Sequence, residues 1–164
     1  MKMIQGLIDG AAVQTTVDMT ILEAARSIGL NIPTLCHHPG LPEEGGCRLC
    51  LVEISFQGGA GKLVASCMYP LRDNGFEIST SSVAVRKARR FVLELLINRC
   101  PSSPHLLALA DEYGASTEQR FLYKSTEMKS GEEVLAQREK LCILCGRCAR
   151  ACLISGGAGA PPTK

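Results

Sequence analysis

The sequence predicts an α+β fold, with a sheet-and-helix domain over residues 1–80. A helical segment over 81–114, a polar linker over 115–140 and a cysteine-rich segment over 141–164 follow it. Three observations predict this. Short strand-like runs separated by glycine turns fill the first domain, and after Ser82 the apolar spacing changes to a helical period. Eight of the nine cysteines fall into two groups of four, with Cys100 between them.

Met3–Ile8 and Ala12–Val17 read as strands joined by Asp9-Gly10, a pair favoured in tight hairpins because both turn positions take φ > 0. Thr20-Ile21-Leu22-Glu23 has capping-box spacing, in which the threonine and glutamate side chains satisfy the first free N–H groups of a helix. Ile21, Leu22, Ala24, Ala25 and Ile28 give that helix an apolar face, and Gly29 stands where a left-handed terminating residue belongs. Pro33 then forces extended backbone on the approach to Cys36. Pro39, Gly40, Pro42, Gly45 and Gly46 predict a tightly curled loop between Cys36 and Cys50. Leu51–Phe56 and Leu63–Cys67 read as strands around Gly58-Gly59-Ala60-Gly61, and Asn74-Gly75 marks the turn before a last strand, Phe76–Ile78.

A long helix is expected over Ser82–Asn98, with Val85, Val92, Leu95 and Leu96 among its apolar positions and Arg86, Lys87, Arg89 and Arg90 among its polar ones. Such a charge run reads as a solvated helix face. Pro101 and Pro104 close this helix, and a second, His105–Tyr113, ends at Gly114. Beyond Ala115 the chain is polar and weakly periodic, which predicts a linker with a helical stretch near Glu132 to Glu139. The tail SGGAGAPPTK reads as flexible.

Composition narrows the function. At 46% hydrophobic and 21% charged residues, a disordered chain is excluded. With 4% aromatics and no Trp, folding must lean on small aliphatic packing or on something covalent, which the cysteines could supply. No apolar run approaches the roughly 18 residues of a membrane span, and the N-terminus lacks a signal-peptide core, so a cytoplasmic location is expected. Thiols stay reduced there, which turns nine cysteines towards metal binding rather than disulfides. A net charge of +2 makes no electrostatic case for a nucleic-acid or membrane surface.

Cys36, Cys47, Cys50 and Cys67 are spaced C-x10-C-x2-C-x16-C. Four thiolates are what a 2Fe-2S centre asks of a protein, and a glycine-rich loop lets backbone N–H groups turn towards the sulfurs. A four-cysteine zinc site usually pairs two C-x-x-C knuckles, and only one occurs here. His37 and His38 raise the thought of a Rieske centre, where two histidines replace two cysteines. Four cysteines already suffice and no second separated histidine follows, so both read as loop residues. Gly61-Lys62 lacks the first glycine and the Ser or Thr of a phosphate loop.

Cys142, Cys145, Cys148 and Cys152 are spaced C-x2-C-x2-C-x3-C. The first three can reach three corners of a 4Fe-4S cubane. The fourth corner stays open between Cys152 and Cys100, which precedes Pro101, with a ligand from another subunit as a third source. The cysteine that is not a ligand would be a buried apolar thiol.

The stretch "TILEAARSIGLNIPTLCHHPGLPEEGGCRLCLVEI" resembles the N-terminal 2Fe-2S ferredoxin-like region of the complex I large iron-sulfur subunit family. It also resembles the related small iron-sulfur subunits of NAD(P)-linked hydrogenases, formate dehydrogenases and electron-bifurcating flavoprotein complexes. "CILCGRC" resembles the C-terminal ferredoxin-like segment of the same subunits. The resemblance implies a β-grasp fold over residues 1–80, ligation of a 2Fe-2S cluster by Cys36, Cys47, Cys50 and Cys67, and one 4Fe-4S cluster at the second group. It further implies an electron-relay subunit working with flavin- and NAD(P)-binding iron-sulfur subunits in a hetero-oligomeric complex, with ferredoxin as a further partner.

Two departures matter. Fuller members complete the cubane with a distant Cys-Pro that has no counterpart after Cys152. Larger relatives also carry a one-histidine, three-cysteine motif where this chain reads "LLINRCPSSPH", so His105 reads as a helix-start residue and the relay shortens to two centres. No Gly-x-Gly-x-x-Gly follows a strand and no nucleophile elbow occurs, which predicts no catalytic site of its own. The alternatives are a freestanding ferredoxin-type electron carrier, which tends to be strongly acidic where this chain is slightly basic, and a redox or iron sensor, for which a nucleic-acid reader is missing.

Overall fold

A computed structural model describes residues 2–118 and 142–156. Most of the expected linker, including the helical stretch near Glu132 to Glu139, and the tail beyond Gly156 lie outside the described residues. The chain divides into two compact units, one running to Val85 and including the segment from Cys145 onwards, the other covering Arg86–Leu144.

The first unit is built on a five-stranded sheet. Strands β1 (Met3–Ile8) and β2 (Ala11–Thr16) form the N-terminal hairpin, paired antiparallel from Met3 opposite Thr16 to Ile8 opposite Ala11. Asp9 and Gly10 turn it with φ of 47° and 82°, the doubly positive pair a two-residue hairpin needs. Strands β3 (Leu51–Phe56), β4 (Lys62–Ala65) and β5 (Phe76–Ser79) complete the order β2-β1-β5-β3-β4. Only β1 and β5 run parallel; the other neighbours are antiparallel. The expected strand Leu63–Cys67 is therefore corrected to Lys62–Ala65, with Cys67 in the turn behind it.

Helix α1 (Ile21–Ser27) starts as expected. The Thr20 N–H donates to a Glu23 carboxylate oxygen at 2.9 Å, and the Glu23 N–H returns to the threonine hydroxyl at 3.2 Å. Its Ile21, Leu22, Ala24 and Ala25 join Ile4, Ile8, Val52, Ile54, Phe76 and Ile78 in one core. Burial alternates along β1, β3 and β5 as period-2 side-chain geometry requires, so the strands turn one apolar face to this core. Each large aliphatic side chain removed from water there contributes about 1.5–3 kcal/mol. Cys50 and Cys67 belong to the same cluster, which ties the cysteine loop to the core.

Helix α2 (Val83–Arg99) buries Val85, Arg89, Leu93 and Ile97, one residue every four. Two assignments from the sequence are corrected: Leu95 is exposed, and Arg89 lies on the buried stripe at 3% exposure. Arginine fits there because its stem is apolar and its head has a partner. Arg89 Nη1 donates to the Tyr113 hydroxyl at 3.1 Å, and the guanidinium stands 5.6 Å from the tyrosine ring centroid. Helix α3 (Pro104–Tyr113) carries Pro104 at its first turn, so this proline opens α3 rather than closing α2. Ser103 caps it and Gly114 ends it at φ 62°. Helix α4 (Arg147–Ile154), not anticipated from the sequence, begins directly after Gly146 and carries Cys148 and Cys152.

Candidate metal centre

The loop after α1 carries Cys36, Cys47 and Cys50, and the β4 turn brings Cys67 to it. All four are free thiols; Cys36, Cys50 and Cys67 are each about 1% exposed, and Cys47 is half-buried. The Cys50 and Cys67 sulfurs are hydrogen-bonded 3.4 Å apart. On the other limb the Cys47 N–H donates to Cys36 Sγ at 3.5 Å. Cys50 and Cys67 thus form a sulfur pair, and Cys47 meets Cys36 through its backbone N–H.

This arrangement bears on what the loop could hold. Two thiolates on one tetrahedral metal with bonds of about 2.3 Å stand about 3.8 Å apart, so the Cys50–Cys67 pair needs to open only slightly to share an ion. A mononuclear zinc centre with four thiolates asks for all its sulfurs around one point, whereas a binuclear 2Fe-2S centre asks for two at each iron. The Cys50 and Cys67 sulfurs, 3.4 Å apart, are placed to share one iron in this way. The donor set fits a 2Fe-2S cluster.

The hydrogen bond that Cys50 and Cys67 share holds the Cys50 thiol down, to about 6, and the same bond, then burial, holds Cys67 far above the usual thiol range. Two buried thiolates this close cannot both ionise unless positive charge lies between them. Burial also pushes the Cys36 thiol up. A bound cation would reverse this balance by favouring the thiolates.

The loop's backbone follows from its glycines. Gly45 is buried at φ 64°, and a Cβ there would run into the Met68 thioether. Arg48, between Cys47 and Cys50, is also left-handed at φ 57°. His37 and His38 occupy loop positions: His38 Nδ1 accepts the Gly40 N–H at 3.1 Å, and His37 Nε2 lies 3.1 Å from Arg26 Nη1. Burial, then the Arg26 charge, holds His37 below the usual histidine value.

The second cysteine group is placed differently. Cys145, Cys148 and Cys152 belong to the first unit, with Cys148 and Cys152 one turn apart on α4; Cys142 belongs to the second. In that second unit Cys100 is fully buried at the end of α2. Its thiol is raised by burial, and the neighbouring Cys142 adds to the rise. Arg99 Nε donates to the Cys142 carbonyl at 2.9 Å. His105 is exposed in the first turn of α3.

Sequence reasoning missed the residues that anchor α4 to the first loop. Arg147 Nη2 donates to the His37 carbonyl at 2.8 Å, and Arg150 reaches the carbonyls of Cys36, Pro42 and Cys145 while pairing with Glu44. The signal was present in "GRCARAC": two arginines three apart fall on one side of a helix, opposite the only acidic pair of the loop, Glu43-Glu44.

Comparison with known proteins agrees with this geometry. The model of the 2Fe-2S iron-sulfur cluster binding domain family matches residues 1–83. Over 158 residues, 90% of the chain, it is 36% identical to the NADH-ubiquinone oxidoreductase 75 kDa subunit of Reclinomonas americana, covering 22% of that protein. Over 93% of the chain it is 32% identical to the NADP-reducing hydrogenase subunit HndD of Solidesulfovibrio fructosivorans, covering 28% of it. The chain thus spans between a fifth and a third of the length of these curated relatives. Among solved structures, a chain of the NAD+-reducing [NiFe]-hydrogenase in the H2-reduced state superposes with a TM-score of 0.70 at 30% identity, over 93% of this chain and 67% of that one.

Proposed function

The chain belongs to the 2Fe-2S iron-sulfur cluster binding domain family, and from that premise we propose that it is an electron-relay subunit of a multisubunit NAD(P)-linked flavin oxidoreductase. The relatives named above are subunits of NADH-ubiquinone oxidoreductase and NADP-reducing hydrogenase, which supports this reading. Electron bifurcation by the complex and a cytoplasmic location are part of the same proposal. No described helix is long and apolar enough to cross a membrane.

In this reading the first domain is a β-grasp in which Cys36 and Cys47 hold one iron of a 2Fe-2S cluster and Cys50 and Cys67 the other. Cys142, Cys145 and Cys148 hold three corners of a 4Fe-4S cluster, with Cys152 or Cys100 as the fourth. When bound, such clusters accept and release single electrons. The chain's own part is to bury three of the four first-group sulfurs, to donate the Cys47 N–H to Cys36 Sγ, and to hold the loop by packing Cys50 and Cys67 into the core. Donors to sulfur and exclusion of water are the means by which a protein sets a cluster's potential.

The observation that carries the proposal is the Cys50–Cys67 sulfur pair, 3.4 Å apart where the β4 turn meets a loop whose other limb joins the Cys47 N–H to Cys36 Sγ. Anaerobic purification of the tagged chain from its native cells tests the function. A flavoprotein should copurify, and NADH or NADPH should reduce the chain's clusters only in its presence. A stable monomer whose clusters are reduced by a soluble reductase contradicts the relay and favours a freestanding carrier.

A further inference from the structure

Arg150 meets four groups around the first cysteine loop. Its Nη2 donates to the Cys36 carbonyl at 2.5 Å and to the Cys145 carbonyl at 3.2 Å, its Nη1 donates to the Pro42 carbonyl, and its Nε lies 3.2 Å from a Glu44 carboxylate oxygen. The side chain is 11% exposed, that of Glu44 51%. Arg147, one turn earlier, donates to the His37 carbonyl. Gly146, at φ 68° where the chain enters α4, passes so close to Glu44 that a Cβ would strike the carboxylate. One guanidinium thus ties together three segments: the Cys36 end of the loop, its Pro42–Glu44 limb, and the start of the helix bearing Cys148 and Cys152.

The chemistry suits arginine alone. A planar fork with five N–H donors can serve several carbonyls and a carboxylate at once, whereas a lysine ammonium is a point charge on a flexible stem. A buried cation bonded to the carbonyl of Cys36 acts on any negative charge gained at that sulfur through low-dielectric surroundings. The balancing Glu44 charge is half in water and more weakly felt.

We propose that Arg150 is a positioning residue with two effects: it straps α4 to the Cys36 limb, fixing where Cys145, Cys148 and Cys152 stand relative to the first cysteine group, and it places a permanent cation beside Cys36. The electrostatic half rests on the reading of Cys36, Cys47, Cys50 and Cys67 as a cluster site; the strap does not. A positive charge favours the reduced, more negative form of a bound cluster, so Arg150 raises its potential and Glu44 lowers it.

Two measurements on the full chain separate these claims. Hydrogen exchange of the cluster-free, reduced protein reads the strap: Arg150→Met should speed amide exchange across residues 150–154, whose N–H groups are bonded within α4, by about tenfold or more and leave β1, β3 and β5 unchanged. Unchanged exchange in α4 overturns the strap. If Arg150→Met loosens the sheet as well, Arg150→Lys, which keeps the charge but loses the fork, replaces it and should show the same local effect. EPR-monitored redox titration of the reconstituted protein reads the charge. Arg150→Met should lower the midpoint of the first-group signal, Glu44→Gln should raise it, and Arg150→Lys should stay near wild type. Shifts of the same sign in Arg150→Met and Glu44→Gln, or none, overturn the electrostatic role. Absence of any 2Fe-2S signal in the wild type defeats the cluster reading and that role together, while the exchange result still decides the strap.

Discussion

Gly45→Ala should destabilise the first unit, and the structure sets the size of the loss. Gly45 is buried at φ 64° with its missing Cβ directed at the Met68 thioether. Left-handed backbone costs a residue with a Cβ about 1–2 kcal/mol. Displacing the thioether adds about 1 kcal/mol, the low end of overpacking costs, because methionine is flexible. The sum, about 2–3 kcal/mol, is a roughly 30- to 140-fold change in the folded-to-unfolded ratio. Urea unfolding of the reduced, cluster-free protein, followed by circular dichroism, should show a midpoint lower by about 1–1.5 M at a typical slope near 2 kcal/mol/M. Met68 is 47% exposed, so Met68→Ala alone should cost little, and adding it to Gly45→Ala should recover only the steric part. A wild-type midpoint for Gly45→Ala would show that neither strain nor crowding acts there, and full recovery in the double variant would show that the left-handed backbone costs nothing.

Three further outcomes follow from the same structure. Tyr113→Phe should cost about 1 kcal/mol and Arg89→Met about 2 kcal/mol by chemical denaturation, since the first loses one hydrogen bond and the second also loses the cation–ring contact; no change in either would place Arg89 outside the fold's support. Glu23 is held below the usual carboxylate range, chiefly by the Thr20 N–H and then by its hydroxyl. Its contribution to stability is therefore complete above about pH 4.3 and is lost as pH falls through its lower folded value, so Glu23→Gln should flatten the acid limb of a stability–pH curve there. Of Cys100→Ala and Cys152→Ala, one should alter the low-temperature EPR signal of the reduced second cluster; if neither does, the fourth ligand comes from elsewhere.

Local chemistry made much of the first domain legible. Asp9-Gly10, the Thr20–Glu23 capping box and Gly29 each dictate backbone within a few residues, and all three act as their sequence implies. Strand order was not legible, because the parallel pairing of β1 with β5 joins residues some seventy apart through core packing. Arg89 misled because charge alone assigned it to solvent, while its partner Tyr113 lies twenty-four residues away. At the candidate site, cysteine spacing pointed to which sulfurs belong together but not to their pairing, which depends on the turn after β4 carrying Cys67 to Cys50. Helix α4 escaped notice because cysteine spacing dominated a run whose arginines are the residues that anchor it.

The central claim is most directly tested by iron and sulfide analysis with EPR of the anaerobically reconstituted, dithionite-reduced chain, wild type beside Cys50→Ser and Cys148→Ser. Wild type should hold about six irons per chain, two plus four, with one signal persisting at higher temperature and one seen only in deep cold. Cys50→Ser should remove the first and spare the second, and Cys148→Ser the reverse. One zinc per chain, or a first signal indifferent to Cys50, would contradict that claim.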